Sequence, residues 1–541
     1  MESPCHLRNR ANGPQNLVLL PHEMLHHVFR WLYPEDLFTL KGTCRALKNY
    51  VDGNQKLSHD VYVHYLGPAG GPDLDWETQR RDVDWEAQLR DVVWLENILG
   101  KKTAAEKERA LPFVSRTVDQ LLQNACSQGY TTENSNSHCE SRTRGLLAFW
   151  FGINSNQEAF LQRSFLFERV RKEHHRPIRF PDAPNPEHQL SAKLHCLCGQ
   201  PILNLGRLRS TRTYPFAVSK VYDLRQYTDQ TRWGPFMNDS SGRVDWEKME
   251  AILIVLGYNL HVKRISKLFS DVWESPFSGS WPRSFLPSSQ TCASTLEARD
   301  PYGVTGTWYR IVCFLDYNDF FGYNFPVGND IPHDAPRQPL SVGEATRLII
   351  MRIHVTSIEP PGPDDGQELP VVHFSGVSRS LDDSWDDNAN SNLRGTVRLT
   401  REGEVHWTST SIFHGEERWK SEGIQIGGVG SARGVLGNWF DKDYDIHGPA
   451  GPTAFWKASE SEATADTIHN VLNSDFLVTY NTIAYMEDSD PEAEMEYQDD
   501  EDDEDADENM DAEPVADELP GLLRDAQIEV AEIVLQQQQQ Q

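Results

Sequence analysis

Apolar residues near the start of the chain fall into two adjacent helical rows. After Leu20 and Pro21, Met24, Val28 and Trp31 make one row and Leu25, Phe29 and Leu32 the other, at the spacing of one amphipathic helix. Pro21 stands where a helix start tolerates proline, Glu23 suits the first turn, and His26, His27 and Arg30 occupy the polar side. Tyr33-Pro34 ends that helix. Glu35 and Asp36 open a second one through Leu37 and Leu40, and Gly42 precedes a third bearing Cys44, Leu47 and Val51. A unit of this size buries too little of its own surface to use both rows, so one row closes its core and the other awaits a partner.

Further along, Trp76, Trp85, Leu89, Val92, Val93, Leu95, Ile98 and Leu99, then Val114, Val118, Leu121 and Leu122, predict linker helices over residues 74–128. A polar stretch follows. Residues 144–285 read as a mixed α/β region: Pro215-Phe216-Ala217-Val218 and Val221-Tyr222 are strand-like, whereas DWEKMEAILIVL from Asp245 opens with acidic residues and reads as a helix. Residues 290–485 are predominantly β. Strands are predicted over 306–315, 348–355 and 370–374, and a hairpin pairs 395–400 with 405–413, alternating Val397, Leu399, Val405 and Trp407. Short, closely spaced strands favour antiparallel pairing, and exposed edges favour closure into a barrel.

Composition locates the charge. The formal net charge is −30, but residues 487–518 hold 19 acidic and no basic side chains, leaving −11 to the rest. Such a run cannot bury enough apolar surface to offset its ordering, so 486–541, ending in six glutamines, reads as a disordered tail, and 1–15 as a disordered N-terminus. Acidity argues against nucleic acid, and no apolar run approaches the roughly 18 residues that span a bilayer, so no membrane partner is expected. Sparse cysteines and the lack of a secretion signal point to the cytoplasm or nucleus.

The order Leu20-Pro21, Glu23-Met24-Leu25, Val28-Phe29, Leu32, Pro34, Asp36-Leu37 and Cys44-Arg45 resembles the F-box pattern, across residues 16–66. Gly42 is a departure that leaves the end of the second helix open. The resemblance implies that Leu20, Pro21, Met24, Leu25, Val28, Phe29, Leu32, Pro34, Leu37 and Cys44 serve a Skp-type adaptor, itself tied to a cullin scaffold and a RING subunit. The Gly306-x-Trp308 element is similar to the opening of lipocalin-type barrels, and 300–320 with 373–456 look like a fungal group of F-box proteins and, more distantly, like the animal cyclin-D-binding ones. The fold expected is a multidomain α+β chain: an all-α F-box, a helical linker, the mixed region, an antiparallel β-barrel and the tail.

Catalytic and metal chemistry finds little footing. The glycine run 427–434 lacks the Lys-Ser/Thr of a phosphate loop and suits a tight β corner, and Ser431 lacks the glycines of a nucleophile elbow. Cys196 and Cys198 have no second ligand pair for zinc, and the oxygen-rich loops with Asp386, Asn388 and Asn390, or Asp441, Asp443 and Asp445, lack the glycine and glutamate of an EF-hand. No cofactor is expected. Trp308 and Trp407 read as barrel interior, whereas Arg379, Trp385, Arg418, Trp419, Arg433 and Trp439 are candidates for a recognition rim. The function expected is substrate recognition for a cullin-RING ubiquitin ligase, without bond-making by the chain itself. The alternative is a barrel that binds a small molecule and controls ubiquitination.

Overall fold

The computed structural model describes residues 17–67, 83–124, 142–173, 185–198, 207–262, 296–326, 337–380, 390–429, 431 and 434–459. The predicted N-terminal segment 1–15 and the acidic tail lie outside these residues, as do Trp385, Arg433 and the loop with Asp386 and Asn388.

Four short helices come first: α1 (His22–Phe29), α2 (Pro34–Lys41), α3 (Arg45–Val51) and α4 (Gln55–Leu66). Tyr33 is extended and Pro34 takes the first turn of α2, where its missing N–H costs nothing. Gly42 caps that helix, which settles where it ends. Asn54 caps α4 by accepting from the Leu57 amide at 3.1 Å. Two long helices follow as the sequence predicts, α5 (Trp85–Leu99) and α6 (Leu111–Asn124), and α5 packs on α2 and α4. The junction is polar as well as apolar. Gln55 Oε1 accepts from the Trp85 amide at 2.7 Å, Glu86 accepts from Gly53 N at 2.9 Å and Lys41 at 3.0 Å, and the Trp85 indole meets Tyr62 edge-on.

The region predicted as mixed α/β holds helices joined by turns where it is described, and among the described residues its only β pairing is one isolated bridge between Phe236 and Val244. It holds α7 (Arg142–Gly152), α8 (Phe165–Glu173), α9 (Pro186–Cys198), α10 (Arg207–Val221) and α11 (Trp246–Val262). The strand-like 215–222 is therefore a correction. Phe216, Val218 and Val221 are buried in α10 against its helical neighbours, and burial, not sheet pairing, accounts for their character. Pro215 sits inside that helix, and its carbonyl accepts from the Leu340 amide at 3.0 Å. Asp245 caps α11 as the acidic start predicts, accepting from Lys248 N at 3.2 Å. Cys196 and Cys198 are buried in α9, and the fully buried His195 beside them pairs with Glu250 at 2.7 Å.

Eight antiparallel strands form a closed meander, β1 pairing with both β2 and β8. They are β1 (Gly306–Leu315), β2 (Glu344–Glu359), β3 (Val371–Ser380), β4 (Asn390–Leu399), β5 (Val405–Phe413), β6 (Glu416–Gln425), β7 (Val435–Asp441) and β8 (Ala450–Ser459). Helix α12 (Tyr317–Asn324) lies between β1 and β2. The predicted hairpin is β4–β5, with Val397 opposite Trp407 and Leu399 opposite Val405. Closure needs strong coiling, and glycine supplies it. A Cβ on Gly395 would run into the Thr408 carbonyl and the Phe374 ring, and one on Gly437 into the Glu422 carbonyl.

Helices clothe part of the barrel's outer face. Helix α11 packs on β7 and β8, and Glu344 at the start of β2 accepts from Tyr214 at 2.6 Å, Asn259 at 2.8 Å and the Tyr222 hydroxyl. Burial, reinforced by that carboxylate, drives both tyrosine hydroxyls far above their usual range. Lys248 of α11 is less well satisfied: it is buried over the Tyr227 ring, its ammonium makes no hydrogen bond, and burial pushes it down to about 7. Replacing it with methionine should raise stability at pH 6 by about 1–3 kcal/mol. The folded Lys248 releases its proton near pH 7 and the unfolded one near 10.5, so the unfolded state holds more protons in between and the wild-type penalty fades as pH rises. Denaturation of Lys248→Met and wild type at pH 6 and pH 9.5 checks this: the variant's advantage should shrink.

Candidate functional site

Helix α1 presents its two apolar rows differently. Leu25 and Phe29 are 4% and 2% exposed and close the core of the four-helix unit, while Met24, Val28 and Trp31 stand 53%, 49% and 58% exposed. Leu17, Leu19 and Tyr33 extend the open row, so a contiguous apolar stripe faces outward from α1 and its flanks. The helix is braced from behind. Asp60 of α4 accepts from His26 at 2.7 Å, Tyr50 of α3 donates to the His22 carbonyl at 2.9 Å, and Phe29 packs edge-on against Tyr50. Burial of Asp60 opposes its ionisation, but the bonds from His59 and His26 outweigh it and hold the carboxyl below its usual range. Trp31 rests against His64, with Arg30 over its ring.

Among the residues expected at this surface, Pro21, Met24, Val28 and Cys44 are exposed and Leu20 and Leu32 half-buried. Leu25, Phe29, Pro34 and Leu37 are interior, so they shape the surface from beneath and cannot touch a partner directly. Leu17, Leu19, Trp31 and Tyr33 are the exposed apolar positions that the expected set omits. Trp31 was legible: it continues the Met24–Val28 spacing.

The second concentration of functional side chains is the barrel interior, which divides into two halves. Towards the start of β1 the inward residues are apolar and close-packed: Trp308, Met351, Ile353, Phe374, Val397, Trp407 and Phe455, with Tyr302 and Val304 beneath. Both tryptophans are inside, as predicted, and their N–H groups are satisfied. Trp308 donates to the Val304 carbonyl and Trp407 to Gln425 Oε1, both at 2.9 Å.

Towards the other end the alternation continues but the chemistry changes. Inward positions there are Ser378 and Ser380 on β3, Ser391 on β4, Ser409 and Ser411 on β5, Ser421 on β6, and the tryptophans Trp419 and Trp439. Trp419 and Trp439 meet edge-on at 5.2 Å, and Trp439 reaches past Gly451 to donate to the Cys313 carbonyl at 3.1 Å. Both stay partly exposed, as do Ser409 and Ile349, so this end is open to solvent. Arg310 lies between the two halves, 5% exposed, and its Nε donates to Thr453 at 2.9 Å. Burial alone pushes its guanidinium down to about 10, so it stays charged at neutral pH.

The expected rim residues therefore separate. Trp419 and Trp439 converge inside the mouth, whereas Arg379 and Arg418 point outward near the same end, Arg418 lying over the rings of Phe413 and Trp419. Asp441 and Asp445 form turns on their own backbone, accepting from Asp443 N and His447 N at 2.9 Å each, in place of a cation loop. Among the described residues no acidic, histidine and cysteine group is arranged to hold a metal ion, and no helix is long and apolar enough to cross a membrane.

Residues 17–64 match the F-box-like family model. No curated protein and no solved structure matches the chain. The match ends within α4, so the four helices and the outward stripe of α1 form one F-box-like domain. The division of α1 into two rows has a measurable consequence. Phe29→Ala should destabilise the chain by about 3–5 kcal/mol, and Val28→Ala by less than about 0.5 kcal/mol, when the two are compared by urea denaturation followed by circular dichroism.

Proposed function

We propose that the chain is the substrate-recognition subunit of an SCF-type cullin-RING ubiquitin ligase. The F-box-like domain docks a Skp-type adaptor, which brings the cullin and RING subunits, and the barrel presents a target protein. The observation that carries this reading is the open Met24–Val28–Trp31 row on a helix whose other row is buried, inside the segment that matches the F-box-like family. Three large apolar side chains exposed in a row are costly to leave wet, and covering each gains about 1.5–3 kcal/mol. The chain contributes no bond-making step; it raises the local concentration of a target lysine beside a charged conjugating enzyme. Sparse cysteines for the length of the chain suit a reducing compartment, so we place this activity in the cytoplasm or nucleus.

The open mouth supports target recognition there, with Trp419 and Trp439 as apolar anchors and Arg379 and Arg418 outside. Kinship with lipocalin-type barrels rests on the Gly306-x-Trp308 opening and the eight-strand meander. A second reading, a small molecule held in the barrel that governs recognition, is favoured by the hydroxyl-lined half of the lumen.

Adaptor binding is tested on the full chain with Met24→Glu, Val28→Glu and Trp31→Ala combined. Each lost anchor is worth about 2 kcal/mol at an interface, so the triple variant should lose adaptor capture by more than about a hundredfold while its denaturation midpoint stays within a few degrees of wild type. Undiminished capture refutes the assignment.

A further inference from the structure

Arg310 is a buried cation to which the fold offers no anion. Its Nε bonds a neutral threonine hydroxyl, its terminal amines make no hydrogen bond, and among the described residues no carboxylate pairs with it. Interior arginines are ordinarily matched by an acid, because an unpaired charge in a low-dielectric site costs several kcal/mol. Here the neighbouring inward positions make the cation stand out further. Across β1, β2 and β3, Arg310 is in register with Ile349 and then Ser380, whose hydroxyl is 1% exposed and also lacks any partner. Beyond them the inward wall carries Ser378, Ser391, Ser411 and the bonded pair Ser409–Ser421 at 2.6 Å. Two polar groups, each more than nine-tenths buried, thus face the same half-barrel, one a cation with a single neutral partner and the other a hydroxyl with none.

We propose that the mouth half of the barrel binds a small organic monoanion, a carboxylate carried on a flat apolar body, with the carboxylate on the Arg310 guanidinium and the body between the walls formed by Trp419, Trp439 and Ile349. The planar fork of N–H donors fits a carboxylate in two parallel bonds, which a lone ammonium would not. One cation among neutral hydroxyls suits a single negative charge; a phosphate dianion would be left half-neutralised. Depth is fixed by the floor, because Trp308, Trp407 and Phe455 pack against one another directly below and leave the ligand no way further in. Gly437 and Gly451 sit where the strands approach too closely for a side chain, and the Trp439 indole lies across Gly451 as one wall. This deepens the small-molecule reading of the barrel and is independent of adaptor docking.

The test uses the full-length protein and 2-naphthoate as probe, with 2-naphthamide as its neutral counterpart, by titration calorimetry and by quenching of tryptophan fluorescence. Naphthoate should bind with a dissociation constant below about 1 mM and at least about tenfold more tightly than the amide. In Arg310→Met that preference should vanish, while the thermal midpoint holds or rises because a buried charge has been removed, and adaptor capture is unchanged. Arg310→Lys, which keeps the charge but not the fork, should retain only part of the preference. Equal binding of acid and amide, no binding of naphthoate at about 5 mM, or an undiminished preference in Arg310→Met or Arg310→Lys would each overturn the proposal. A collapse of the fold in Arg310→Met with naphthoate preference intact in Arg310→Lys would show the arginine to be a structural element and overturn it as well.

Discussion

Pairing of the first strand with the last is the constraint on which the rest of this chain depends. β1 bonds β2 on one side and β8 on the other across more than a hundred intervening residues, and without that second ladder the eight strands would be an open sheet with two raw edges. Closure also fixes two environments at once, because alternate residues of every strand must face a common interior. On β1 this puts Trp308 and Arg310 inside and Tyr309, Ile311 and Cys313 outside, where Asn259 of α11 donates to the Cys313 sulfur at 3.5 Å. The outer residues of β1 are as buried as the inner ones because helices cover that side. The strand thus reads as a continuous apolar run, although its partners are antiparallel.

Polar contacts tie the barrel to the helices that carry it. Lys193 of α9 bridges Asp119 of α6 at 2.9 Å and Glu404 of the β4–β5 turn at 3.0 Å. Burial alone would depress that ammonium, but the two carboxylates outweigh it and raise it. The same helix α6 packs on α5, which holds the F-box-like unit through Gln55, Glu86 and Lys41. A chain of packed helices and buried ion pairs therefore links the docking helix to the sheet. In the proposed role, stiffness in this path matters more than the strength of any one contact, since misplacement by ångströms costs rate steeply.

Much of this was legible in the sequence where one periodicity acts alone. The two rows of α1, the linker helices and the β4–β5 hairpin follow from spacing, and the capping residue Asp245 marks its helix. Residues 215–222 misled because β-branched and aromatic side chains signal burial as well as strand, and residues 213–221 of α10 are buried nearly all round. β6 to β8 were not read as separate strands: Gly423, Gly437 and Pro452 sit inside them, residues that weaken the local strand signal and that tertiary coiling requires. The rim was legible in part. Loop-rich surroundings marked Trp419 and Trp439 as rim candidates, but that they converge inside the mouth while Arg379 points out depends on register around the whole barrel, which no local window contains.

Two departures from ordinary burial bear on binding, and folding alone explains neither. Met24, Val28 and Trp31 are apolar and outside; Arg310 is charged and inside. Neither is held in place by strong contacts, since the α1 row stands half outside its own core and Arg310 has only one neutral partner. Residues that break the local rule without a compensating contact mark where a partner must complete the environment. On α1 the missing component is apolar surface, which the proposed adaptor would supply. In the lumen it is a negative charge small enough to pass two tryptophans and stop on a packed floor. The two departures are of opposite sign, and they call for two different kinds of partner bound at separate places on one scaffold.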